Sequence, residues 1–239
     1  MMAEGLSEAT AEALLAELIS TVKALKNNIK SSDKFAVGLS LAKAEKTVRS
    51  ATVLSSAAAA LKEIQEGMAG CRLCALGKTR RNIVFGEGNP RAQVVFVGEA
   101  PGADEDEQGL PFVGRAGQLL TNIIKAMGME RKNVYICNIL KCRPPQNRNP
   151  LPEEIAACEQ FLKKQLLIIS PRIICALGTF AAKTLLGTET PITALRGRFH
   201  SYEGILLMPT YHPAYLLRNP AAKKFVWEDM QMIMKELQN

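Results

Sequence analysis

No run of about 18 apolar residues occurs in this 239-residue chain, so a membrane-spanning helix is not expected. The N-terminus lacks a charged start followed by an apolar stretch and a cleavage site, so no secretory leader is expected and cytoplasmic residence is the default. No GxGxxG follows a strand and no GxxxxGK[ST] occurs, which removes the two commonest nucleotide cradles. Histidine is scarce, with only His200 and His212 present, so imidazole chemistry has two addresses. Phe35 is the sole aromatic residue of the first 66 positions.

Apolar residues make up 47% of the chain, ample for a real core, and charge is distributed unevenly. Residues 1–66 balance eight Lys and Arg against eight Asp and Glu, so the net charge of +7 belongs to residues 67–239, with 22 basic and 15 acidic side chains. A basic body suits a phosphate-bearing partner, because neutralising phosphates releases counterions and gives sequence-independent affinity. In the first segment Leu14, Leu15, Leu18, Val22 and Leu25 recur at helical spacing, and a second helical run is expected over 41–67. Residues 1–66 therefore read as a helical or partly disordered extension, either a tether or a docking module.

The richest stretch is Gln93 to Gly117, QVVFVGEAPGADEDEQGLPFVGRAG. Its β-branched and aromatic start suits a strand buried on both faces, which Gly98 stops. Further strands are expected near 134–138, 172–177 and 205–208, alternating with helices near 117–127, 152–169 and 179–186, and a final helix near 221–237. This alternation predicts a three-layer α/β/α body with a central four-stranded parallel sheet over residues 67–239. GEAPG, Asn138 to Arg148 and Thr210 to Pro220 then fall at strand C-terminal ends, where one crevice collects them. The acids Asp104, Glu105, Asp106 and Glu107 are expected in a loop, too early to cap a helix starting at Gly114 or later.

Six cysteines divide by setting. Cys137 and Cys175 lie inside apolar runs and suit a core. Cys71 and Cys74 form a CxxC pair, while Cys142 follows a strand and Cys158 sits on a helix. Four thiolates from such segments can surround zinc or an iron-sulfur cluster, and residue spacing alone leaves both open.

GEAPG, GLPFVGRAG, NILKCRPP and HPAYLLRNP, in this order, resemble the motifs of the iron-sulfur-containing family 4 uracil-DNA glycosylases over roughly Met68 to Leu237. The resemblance implies a monomeric repair enzyme that flips uracil from single- or double-stranded DNA and hydrolyses its N-glycosidic bond, leaving an abasic site. It selects a [4Fe-4S] cluster on Cys71, Cys74, Cys142 and Cys158, with no direct part in the chemistry. It also implies a uracil pocket from Glu99, Ala100 and Pro101 of the GEAPG turn, a stacking ring from Phe112, and recognition by Asn138, whose amide suits uracil O4 and N3–H. His212 would donate to uracil O2 as the base leaves, and Glu105, matching an acidic motif position, is the first candidate to stabilise the sugar or orient water. Asp104, Asp106 and Glu107 are expected as surface acids and His200 as structural or phosphate-facing. Tyr215 and Leu216 are the possible wedges into the vacated stack, with Leu216 favoured, and Arg218 is available for phosphate; the contrary reading packs both leucines, Leu216 and Leu217, inward.

A related branch that cross-links to uracil-DNA carries GEQPG and an added basic loop, whereas Ala100 stands in place of the Gln here and NRNPLPEE runs straight on from CRPPQ; turnover is therefore expected. The competing readings are a non-catalytic iron-sulfur or zinc nucleic-acid-binding protein, such as a polymerase accessory, and an electron-transfer protein. The first leaves the gathering of acid, ring, amide and imidazole at strand ends unexplained, and the second leaves the basic body unexplained.

Overall fold

The computed structural model describes residues 54–239. The helical periodicity expected across positions 14–25 lies outside the described residues. Helix α1 (54–67) buries Ala57 and Leu61, and with Met68 it joins the main apolar core. Residues 54–66, expected in the extension, are thus packed into the α/β body.

The sheet centres on β2 (Val94–Gly98), β3 (Tyr135–Asn138), β4 (Ile173–Leu177) and β6 (Ile205–Thr210), which pair in parallel in the order β3, β2, β4, β6. These are the four expected strands. Alternation along β2 divides the interior, since side chains two apart point to one face. Val95 and Val97 face a core shared with Leu61, Leu162, Leu166 and Ala181; Val94 and Phe96 face a second core with Leu120, Ile124, Val226 and Met230. The covering helices are α3 (Arg115–Ala126), α4 (Pro152–Ile169), α5 (Thr179–Leu186), the short α6 (Ile192–Leu195) and α8 (Lys223–Gln238).

Three local expectations are corrected. Among the described residues the sheet has six strands, because β1 (Glu87–Gly88) and β5 (His200–Tyr202) add antiparallel edges to β3 and β6. Both are too short to show a hydrophobic period, and such short edges blunt further pairing. The acidic run is helix α2 (Ala103–Gln108), not a loop: acids in the first turn suit the positive end of a helix, and Glu105 accepts the N–H of the preceding Gly102 at 3.1 Å. Asp106 is buried rather than a surface acid, accepting the backbone N–H groups of Arg81 and Asn82 at 3.0 and 3.3 Å. Beyond β6, His212 is extended before Pro213 and serves as N-cap of helix α7 (Pro213–Arg218), with Pro213 in the first turn where its missing N–H costs nothing.

Candidate active site

The C-terminal ends of β2, β3 and β6 open into one cavity of about 440 Å³, lined by Glu99, Ala100, Pro101, Gly102, Glu105, Phe112, Asn138 and His212, and also by Pro144, Asn147, Arg148, Asn149, Ala214 and Arg218. Every residue expected at a uracil pocket is present in its wall. At the floor, Gly98 and Asn138 are register partners on adjacent strands. A Cβ on Gly98 would stand 2.6 Å from Phe112 Cζ and would also strike Asn138 Oδ1, so only glycine lets the amide and the ring approach each other.

Asn138 is 2% exposed, and its Oδ1 is one of two buried side-chain polar atoms without a hydrogen-bond partner among the described residues. An unpaired buried acceptor costs free energy, so one at the wall of a cavity marks a place where a ligand donor fits. The main chain beneath it is held by a group the sequence did not single out. Fully buried Lys141 donates to Asn138 O at 2.8 Å and to Gln165 Oε1 at 2.5 Å, and Gln165 in turn donates to Phe85 O and Tyr135 Oη at 2.9 and 3.2 Å. A lysine inside the NILKCRPP run reads from sequence as another surface cation; only its burial reveals the network.

His212 stands with its ring centroid 5.6 Å from that of Phe112. Its Nδ1 accepts the N–H of Ala214 at 3.1 Å, which places the proton of the neutral ring on Nε2. Burial, reinforced by the Arg218 cation and opposed by Glu105, lowers its pKa to about 4. The imidazole is therefore neutral at physiological pH. His200, by contrast, bonds Leu195 O at 2.8 Å from the edge strand and lines no part of the cavity.

The two carboxylates differ in what they touch. Glu105 accepts three backbone N–H groups, from Gly102, Val113 and Gly114, at 3.1, 2.9 and 3.0 Å, and so ties the GEAPG turn to the turn carrying Phe112. Glu99 is half-buried in the cavity wall, and burial raises its pKa to about 7. A carboxyl poised near neutrality in a cavity has the property of an acid-base group; one saturated by backbone donors has that of a brace.

Leu216 is 1% exposed and belongs to the core behind α3, so the helical turn of α7 points it inward. Its neighbours Tyr215 and Leu217 are each 39% exposed, which corrects the expected wedge. Arg218 is exposed at the cavity rim, while Arg148 is paired with the buried Glu154 at 2.6 Å.

Cys71, Cys74, Cys142 and Cys158 line one small pocket with Met68, Arg80 and Phe161. Cys137 and Cys175 lie elsewhere, fully buried in β3 and β4. No three Cys, His, Asp or Glu side chains among the described residues form a ready site for a single ion. Arg80 Nη1 donates to Cys142 Sγ at 3.5 Å and the Lys141 N–H to Cys158 Sγ at 3.3 Å, contacts of the kind that suit metal-held thiolates, although burial pushes both free thiols toward the neutral form.

Comparison with known proteins agrees with this geometry. The family model described as the uracil DNA glycosylase superfamily matches residues 85–231. A type-4 uracil-DNA glycosylase of Thermotoga maritima is 47% identical over 172 residues, covering 70% of this chain and 90% of its relative. Type-4 enzymes of Sulfurisphaera tokodaii and Archaeoglobus fulgidus are each 44% identical, covering 72% of this chain and 83% and 91% of theirs. Within the uracil DNA glycosylase superfamily, this chain belongs to the type-4 family.

Proposed function

We propose that this protein excises uracil from DNA by hydrolysing its N-glycosidic bond, leaving an abasic site for repair. The observation that carries the reading is the unpaired, buried Oδ1 of Asn138 beside the Phe112 ring. Uracil extruded from the helix lies on Phe112, its N3–H donates to Asn138 Oδ1 and its O4 accepts from Nδ2. Cytosine presents the inverse pattern at those edges and would leave buried polar groups unpaired, so it is rejected.

As the glycosidic bond lengthens, negative charge grows on uracil O2 and positive charge on the sugar. The neutral His212, with its proton on Nε2, donates to O2 without needing to be cationic beforehand. Glu99 in its ionised form takes a proton from the attacking water as it adds to the sugar. Glu105, the first candidate from sequence, braces the two turns that hold the base. The protein acts as a monomer, with Arg218 at phosphate and exposed Leu217 and Tyr215 facing the disrupted base stack.

Cys71, Cys74, Cys142 and Cys158 would hold a [4Fe-4S] cluster. It would supply a cross-link between chain segments and no chemistry to the excision itself. The function is tested by incubating purified protein with uracil-containing DNA, cleaving abasic sites with alkali and resolving the strands. Shortened strands that depend on uracil are expected; binding without shortened strands would favour the accessory-protein reading.

A further inference from the structure

Phe112, the residue that carries the base-stacking ring, is itself held in an unfavourable backbone conformation. Its φ is 52°, the left-handed region that a residue with a Cβ seldom adopts. Something must over-determine that turn. On one side Glu105 accepts the N–H groups of Val113 and Gly114. On the other, Arg131 donates from Nη2 to Pro111 O at 2.9 Å and from Nη1 to Phe112 O at 3.2 Å. Both carbonyls are secured by a residue far along the chain.

Arg131 has no donors left over. Its Nη1 also reaches Thr121 Oγ1 at 3.2 Å, and its Nε and Nη2 pair with Glu87 of edge strand β1. A guanidinium carries five N–H groups in a fixed fork, and these five contacts match that number. An arginine awaiting a DNA phosphate would keep part of its fork free, and this side chain is only 25% exposed. Gly117 completes the fit from below, since a Cβ there would collide with the same Phe112 carbonyl that Arg131 grips.

We infer that Arg131, anchored by Glu87, is a positioning residue that clamps the Phe112 turn in its left-handed conformation and thereby sets the ring on which uracil stacks. The inference rests on the stacking reading of Phe112. Its substrate consequence is selective: uracil affinity and excision depend on the clamp, whereas binding to uracil-free DNA does not. Short edge strand β1 then has a purpose in the site, because it presents Glu87 to Arg131.

The test compares wild type, Arg131→Met, Arg131→Lys, Phe112→Ala and the double variant Arg131→Met with Phe112→Ala. Readouts are single-turnover excision, inhibition of excision by free uracil, affinity for uracil-free DNA and melting temperature. Arg131→Met is expected to slow excision and weaken uracil inhibition by roughly tenfold to 10²-fold, the loss typical of a displaced positioning group, with uracil-free DNA affinity unchanged. In the Phe112→Ala background the same change should cost less than about twofold, because two changes acting through one ring are not additive. Arg131→Lys keeps a cation opposite Glu87 but cannot serve both carbonyls, so it should melt near wild type and still lose uracil inhibition; it carries the test if Arg131→Met does not fold. Wild-type uracil inhibition in the lysine variant, or losses that multiply in the double variant, would overturn the clamp. Phe112→Ala alone examines the stacking: undiminished uracil inhibition there would sink that reading and the clamp with it, while a loss there alone would sink only the clamp.

Discussion

Two carboxylates reach the cavity, and their partners separate their work. Glu105 meets three backbone N–H groups, so its replacement disturbs the turns before any chemistry. Glu99 has a pKa raised to about 7 by burial, and a base must be ionised to act. Single-turnover excision should therefore rise with pH through about 7, and Glu99→Gln should remove that limb and slow excision by about 10² to 10⁴-fold, as for loss of a general base. The stability sign is opposite. Between its unfolded value of 4.5 and about 7 the folded state holds more protons at Glu99, so stability from this group falls as pH rises across that window. Glu99→Gln should accordingly melt higher than wild type at pH 8, and an unchanged melting temperature with an unchanged pH profile would remove Glu99 from the mechanism. His212, with its pKa lowered to about 4, stays neutral over the same range and contributes no limb near neutrality. His212→Ala should cut single-turnover rate by roughly 10²-fold with little change in affinity for uracil-containing DNA, because phosphates dominate that affinity. A lost affinity with an unchanged chemical step would move the histidine to the DNA-positioning surface.

At the scale of elements, the four parallel strands and the helices between them were legible because each is long enough to show its apolar character. What escaped was short or decided by tertiary packing. Edge strands of two and three residues carry no period, and α2 looked like a loop because its six residues are mostly charged. The cavity wall was legible as motifs at strand ends, yet Arg131 and Lys141 were not, since their meaning lies in which distant carbonyls they reach. The wedge shows the same limit. HPAYLLR offers two adjacent leucines, and only the helical turn of α7 decides that Leu216 is buried and Leu217 exposed. Leu216→Ala should therefore destabilise the fold by about 2 to 5 kcal/mol, the cost of a cavity in a core. Leu217→Ala should leave stability within about 0.5 kcal/mol while reducing excision from double-stranded DNA more than from single strands. Equal effects on the two substrates would remove Leu217 from base extrusion.

Across the whole molecule, the thiol pocket and the base pocket share a segment of chain. Cys142 and Cys158 lie at the ends of a stretch whose middle, Pro144 and Asn147 to Asn149, lines the cavity, while Cys71 and Cys74 follow helix α1. A cross-link among these cysteines would pin α1, the loop after β3 and α4 to one another, and so hold one wall of the base pocket from outside. Its loss should be felt first as stability. Purified protein is expected to show a broad visible absorption that disappears, with a lowered melting temperature, on changing Cys71, Cys74, Cys142 or Cys158 to Ser. Cys137→Ser and Cys175→Ser should keep the absorption, because those thiols are fully buried in strands and line no part of the thiol pocket. Removing iron from wild type should lower the melting temperature as the four ligand variants do, since metal-binding free energy is in part folding free energy. A colourless protein with stoichiometric zinc and no iron would sink the cluster while leaving the four-thiol site intact, and colour retained in the Cys142 variant would sink the ligand set itself.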